Sequence, residues 1–357
     1  MDLEEKISLV LKYPTIECIT KEELKELFET KKTLKHYIGF EISGKVHLGT
    51  GLMTSLKIKH LKKAGIKTTI FMADYHAWIN NKFSGNLDLI QEVAKSYFEP
   101  AMKSLGLEET EFILASEVYK DSNYWKKVLD ICRNTTMNRM LRCTTIMGRN
   151  SSDLSNDCSY IVYPAMQCAD IIHLDVDIMH GGMDQRKVHM LYKDIKDKLK
   201  ERKRVAIHTK LLMGLQGPKR MGFEEDELLD SQISSKMSKS NPMSCIFIHD
   251  SEDEIRMKIK SAYCPAKDLN NPIIELAELI INEYRELKIE RPQKFGGEIT
   301  YYNFAELCND YKEGKLHPMD LKNAITEYLI KILEPSRRYF ANKKELIEFV
   351  EKKQFEK

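Results

Sequence analysis

The sequence predicts an α/β architecture built on a parallel sheet, followed by an all-α C-terminal domain. Three observations lead there. Short apolar runs at 36–42, 68–78 and 111–116 alternate with helical patterns, the order that right-handed strand–helix–strand crossovers produce. Beyond about residue 251 the apolar spacing is helical only. Between these regions, residues 211–243 lose both periods in a stretch of Gly, Pro, Ser and mixed charge, which predicts a long mobile loop.

In chain order, residues 1–34 read as helix, turn and helix, with Thr20 and Glu23 spaced as a capping box. HYIGFEI (36–42) reads as a strand that turns at Ser43-Gly44. LMTSLKIKHLKKAG follows as a helix stopped by Gly65. TTIFMADYHAW (68–78) is a second buried strand, with a helix at about 87–104 and the strand EFILAS (111–116) after it. His76 and Trp78 would end that second strand as packed core. Residues 124–148 look helical, and 157–191 read as helix, strand, a Gly-Gly break and another helix. SEDEIRMKIKSAYC, NPIIELAELIINEY and HPMDLKNAITEYLIKILEP are three later helical patterns. The expected domains are a helical segment at 1–34, the sheet domain at 35–210, a loop and linker at 211–250, and a helical domain at 251–357.

At 357 residues the chain is long enough for one large core and a smaller second domain. Net charge is only +2, so a polyanion partner would be held by local patches and not by a global field. The eight cysteines form no C-x-x-C pair, which argues against structural zinc and for a reducing, cytoplasmic setting. No stretch is apolar for long enough to span a membrane, and MDLEEKISLVLKYP lacks the layout of a secretory signal.

Three constellations carry chemistry. KVHLGTG (45–51) places His47 and Gly49 at a strand-to-helix turn, where free backbone N–H groups point at an anion. Alone it fits an incidental histidine equally well. SSKMSKSNP places Lys236 and Lys239 around Met237-Ser238, cations suited to a leaving pyrophosphate. Alone it reads as a solvated loop. In YIVYPAMQCAD, Tyr163, Gln167 and Asp170 fall at i, i+4 and i+7 among apolar neighbours, a polar stripe that lines a cavity.

H-x-G early and K-M-S-K-S late, in this order, resemble the ATP-binding signatures of class I aminoacyl-tRNA synthetases. YIGFEISGKVHLG, MADYHAW, YPAMQCADI, GGMDQRKVHM, IRMKIKSAYCPA, RPQKFGGEIT and HPMDLKNAITEYLIKILEP extend the resemblance, nearly end to end, to the tyrosyl-tRNA synthetases of the archaeal and eukaryotic type. The resemblance implies a Rossmann-like catalytic domain and a helical anticodon-binding domain. It implies that Tyr37 and Asp170 bond the phenolic hydroxyl of L-tyrosine, and that Tyr163, Gln167 and Gln185 hold its ammonium end. Glu41, Gly49, Gly182, Asp184, Lys236, Ser238 and Lys239 would contact ATP, with Mg²⁺ on the phosphates. His47, Thr50, Lys236 and Lys239 would carry catalysis. For tRNA(Tyr), His317 would be among the binding residues, and Asp320, in the HPMDLKN segment it opens, with Phe295 of KFGG, would meet the first anticodon base. Arg186 and Lys187 would reach the acceptor stem, with Arg139 and Arg142 as weaker candidates. A homodimer is implied as well.

The chain leaves the pattern twice. Thr50 stands where the first motif often has a second histidine, and 217–233 looks like an insertion before KMSKS. The alternatives are a tryptophanyl enzyme, against which Tyr37 with Asp170 argues, a small nucleotidylyltransferase, and a non-catalytic RNA-binding paralogue.

Overall fold

A computed structural model describes residues 1–148, 157–222 and 226–356. The chain divides into two compact units, each discontinuous in sequence. The first comprises Met1–Gly44, Lys57–Lys210 and Glu345–Lys357; the second comprises Lys45–Leu56 and Leu211–Lys344.

The first unit is built on a six-stranded sheet. Its strands are β1 (Thr15–Ile19), β2 (Lys35–Glu41), β3 (Lys67–Ala73), β4 (Glu111–Leu114), β5 (Ile178–Gly182) and β6 (Val205–Thr209), in the order β1-β6-β5-β2-β3-β4. All neighbours pair in parallel except the edge strand β1, which runs antiparallel to β6. Strand order reverses on either side of β2, so the carboxyl ends of β2 and β5 flank a topological switch point, the usual ligand crevice of such sheets. Alternation along the strands separates two cores. Met179 and Ala206 join Tyr37, Phe71 and Tyr192 in one core, while Ile178, Val205 and Ile207 join Leu24 and Leu61 in the other. Tyr37, Gly39 and Glu41 therefore share one face of β2. The helix Ser159–His173 packs Ala165, Met166 and Ile171 into the same core. That packing brings its polar stripe to the β2 face.

Several local expectations are corrected. A strand, β1, lies between the two N-terminal helices Leu3–Leu11 and Lys21–Thr30. The capping box there is half made: Thr20 Oγ1 accepts from Glu23 N–H at 3.1 Å, but the Glu23 carboxylate pairs with Lys193 at 2.5 Å. The strand expected over 68–78 stops at Ala73. There the Asp74 carboxylate accepts from the backbone N–H groups of Tyr75 (2.9 Å) and Ser116 (3.0 Å), and a short helix, Asp74–Ile79, follows. His76 is buried on that helix, but Trp78 is 47% exposed and is not core. The helix expected at 87–104 is broken by two π-helical turns, and 124–148 holds two helices, Ser122–Arg133 and Met137–Cys143, and a short 3₁₀ turn.

The second unit is mainly helical, with Glu252–Ser261, Pro272–Tyr284, Phe304–Glu313 and the long Pro318–Phe340. A two-stranded ribbon of β7 (Leu287–Ile289) and β8 (Ile299–Tyr301) interrupts the helical pattern. Within 211–243 the chain forms a helix, Glu227–Ser235. Residues 223–225 of the expected insertion lie outside the described residues.

Candidate active site

In the first unit the site is built around Asp170. Its carboxylate is 1% exposed, on the buried face of Ser159–His173. One oxygen, Oδ1, accepts from Tyr119 Oη at 3.0 Å and from Tyr124 Oη at 2.9 Å. The other, Oδ2, has no hydrogen-bond partner among the described residues. It lies 3.9 Å from His76 Nε2, too far for a hydrogen bond. Burial pushes the Asp170 carboxyl up to about 8, against the two phenol donors. Burial, with the Asp170 charge beside it, also raises the Tyr37 phenol. Gly39 makes room for that phenol: a Cβ there would stand 2.7 Å from Tyr37 Oη. At the other end of the stripe, Tyr163 Oη donates to Glu41 Oε1 at 3.2 Å, and Asn80 Nδ2 donates to the same oxygen at 2.7 Å. Gln167 Nε2 donates to Gln185 Oε1 at 3.2 Å, and Gln185 Nε2 donates to the Ile146 carbonyl at 3.2 Å. Gly182 ends β5, and Asp184 lies in the short turn after it. Glu41 thus pairs with Tyr163, and Gln167 with Gln185, while Asp170 keeps one carboxylate oxygen without a hydrogen-bond partner among the described residues.

In the second unit, KVHLGTG runs beside Ile246–Ile248: Leu48 N–H donates to the Ile246 carbonyl and Ile248 N–H to the Val46 carbonyl. His47 is buried (7% exposed). Thr50 Oγ1 lies 3.2 Å from His47 Nε2, so this threonine fixes the imidazole. A Cβ at Gly49 would stand 3.1 Å from His47 Cε1, so a larger residue there would press on the imidazole. Burial first, then the ammonium groups of Lys239 and Lys236, push His47 down to about 3. It is therefore neutral throughout the physiological range. The same two lysines sit in a strapped loop: Met237 N–H donates to Leu212 O at 2.7 Å, and Ser244 Oγ donates to Ser238 O at 2.9 Å. Met237 is buried while Ser238 is exposed.

Residues 29–334 match the family of class I tRNA synthetases for tryptophan and tyrosine. The chain belongs to that family. A tyrosine–tRNA ligase of Pyrococcus horikoshii is 48% identical, with 98% of each chain covered. One from Pyrobaculum aerophilum is 44% identical, with 95% of each covered. The crystal structure of the tyrosyl-tRNA synthetase of P. horikoshii complexed with L-tyrosine superposes with a TM-score of 0.93 at 47% identity, over 99% of this chain and 100% of that one.

In this class I synthetase the expected nucleic-acid residues are scattered. Arg186 is held by Glu17, its Nε donating at 3.0 and 2.9 Å to the two carboxylate oxygens, and Lys187 Nζ donates to Thr145 Oγ1 at 3.1 Å. Arg139 is bound to Asp194. Phe295 is 59% exposed beside the Lys294 ammonium. His317 caps the helix Pro318–Phe340 by accepting from Met319 N–H at 3.1 Å, and Asp320 lies in that helix's first turn. Sequence reasoning missed Tyr119, Tyr124 and Asn80; it named His76 as packed core, and His76 is buried. EVYKDSNYW carries the two tyrosines, but they come from either side of a helix start and show no common period.

Proposed function

We propose that the chain is a tyrosine–tRNA ligase: it activates L-tyrosine with ATP to tyrosyl-adenylate and pyrophosphate, then transfers tyrosyl to the terminal adenosine of tRNA(Tyr). The observation that carries this reading is the buried Asp170, with one oxygen bare and the Tyr37 phenol beside it. A pocket built to pair a hydroxyl is left with unpaired polar groups when phenylalanine enters, and tyrosine-specific ligases are the standard case of such rejection. Tyr163, Gln167 and Gln185 take the ammonium end. In the first step a carboxylate oxygen of tyrosine bonds to the α-phosphorus while the bond to the β-phosphate bridging oxygen breaks. The nucleophile is already ionised, so no general base is required. Rate comes from positioning and from charge stabilisation on the phosphates. His47, a neutral imidazole, donates one hydrogen bond, and Thr50 orients its ring. Lys236 and Lys239 neutralise the departing pyrophosphate; of the other residues expected to contact ATP, Gly49 and Ser238 belong to the same unit as these lysines, and Glu41, Gly182 and Asp184 belong to the first unit.

Mg²⁺ fits as part of the substrate. Among the described residues no group of three or more His, Cys, Asp or Glu side chains is placed to hold a metal ion, so the triphosphate oxygens would carry it. Asp320 and Phe295 suit an unstacked guanine, one by accepting from its Watson–Crick edge and the other by stacking. Arg186 would have to leave Glu17 to reach an acceptor stem. We also place the protein in the cytoplasm, where tRNA charging supplies translation. Exposed Trp125 (38%), Leu129 (64%) and Met137 (59%) supply apolar surface for a homodimer, which sedimentation would reveal. The reading is tested by tyrosine-dependent exchange of pyrophosphate into ATP, with tyrosylation of tRNA(Tyr) as the second readout. Exchange that does not depend on tyrosine rejects it.

A further inference from the structure

Tyr119 and Tyr124 come from different elements, one after the short helix Ala115–Val118 and one in Ser122–Arg133, yet their rings stack with centroids 4.2 Å apart. Both hydroxyls converge on a single oxygen of Asp170. Each phenol has one proton to give. Tyr124 Oη also lies 3.2 Å from the Met166 carbonyl, and Tyr119 Oη lies 3.3 Å from His76 Nδ1. The charged carboxylate is the nearer and stronger acceptor for both protons. Tyr119 is then left to accept from His76 Nδ1, which fixes the ring that stands edge-on to Tyr163 at 4.4 Å. The result is one saturated and one bare oxygen on the same buried carboxylate.

We infer that Tyr119 and Tyr124 are positioning residues for phenol recognition: their hydroxyls occupy Oδ1 of Asp170 and turn Oδ2 toward the substrate hydroxyl. The inference rests on the tyrosine-ligase reading. Neither residue has to touch the substrate. They set the plane of the carboxylate and stabilise its charged form, the stronger acceptor from a phenol. A carboxylate rotated about its Cβ–Cγ bond would offer neither oxygen squarely, and phenylalanine, which needs neither, would be unaffected.

The test is pyrophosphate exchange with tyrosine and with phenylalanine, using Tyr119→Phe and Tyr124→Phe, which keep the stacked rings. Loss of one hydrogen bond to a charged group predicts a KM for tyrosine raised about tenfold in each variant. We expect kcat within about threefold of wild type and the KM for phenylalanine unchanged. In an Asp170→Asn background, Tyr119→Phe should add little, because the charge it serves is gone. An unchanged tyrosine KM in both variants overturns the inference. So does an equal fall in kcat/KM for both amino acids, which is the signature of a packing role alone. Should one variant fail to fold, as judged by its thermal melt, the other carries the same test through its own hydroxyl. Absence of tyrosine-dependent exchange in the wild type would instead overturn the ligase reading and is scored separately.

Discussion

Asp170 brings a carboxylate into a site that burial makes hostile to charge, and the conflict has a sign. Its folded value, about 8, lies above the ordinary 3.8, so the fold favours the protonated form. The resulting destabilisation is absent below pH about 4, grows as pH rises, and is complete above about 8. Asp170→Asn, which cannot ionise, should therefore gain stability relative to wild type in urea unfolding at pH 8.5 but little at pH 4.5. A gap of about 1–3 kcal/mol is expected after the unpaired amide is allowed for. A gap that does not grow with pH contradicts the assignment. Recognition follows the opposite sense, because the ionised carboxylate is the stronger acceptor from a phenol. The KM for tyrosine should rise as pH falls from 8.5 to 6.5, while that for phenylalanine stays level. His47 titrates far below this window and contributes no pH dependence there. Its value as a neutral donor is read otherwise: His47→Ala should lower kcat for exchange by about 10²–10³ with the tyrosine KM little changed.

At the level of elements, β2 places Tyr37, Gly39 and Glu41 on one face through period-two alternation, and its tight packing is testable. Gly39→Ala sets a methyl 2.7 Å from Tyr37 Oη, so the phenol must move. A raised KM for tyrosine without loss of folding is the expected result. On the proposed reading the KMSKS segment behaves differently, because its lysines would meet charge that builds only as pyrophosphate leaves. Lys236→Ala and Lys239→Ala should each depress kcat far more than either KM in steady-state exchange. Much of this was legible in the sequence. Apolar runs marked the central strands, and the i, i+4, i+7 stripe gave Tyr163, Gln167 and Asp170 a common face, because helical and strand periods are local properties. Three features were not legible. β1 is a half-buried edge strand of five residues with weak patterning. The end of β3 at Ala73 depends on Asp74 accepting from Ser116, far away in sequence. The Tyr119–Tyr124 clamp forms only when two elements meet over a third, and no spacing rule records that.

For the whole molecule, both compact units take up separate stretches of chain, and residues 45–56 belong to a different unit from the strand that precedes them. The chemistry assigned above divides accordingly. The residues proposed for the amino-acid pocket lie in the first unit, and the second holds the proposed phosphate turn, the KMSKS lysines and the proposed anticodon residues. Asp320→Ala should then raise the KM for tRNA by about tenfold, with exchange left intact, since the loss is of one base contact. Helix capping by His317 is independent of that carboxylate, so thermal stability should hold. On the proposed reading, a buried Asp170 with one free oxygen selects a phenol. That selection is tested most directly by pyrophosphate exchange measured side by side with tyrosine, phenylalanine and tryptophan. Exchange driven by tyrosine, with phenylalanine and tryptophan weaker by orders of magnitude, is the result predicted. Comparable exchange with phenylalanine, or exchange driven by tryptophan, would contradict it.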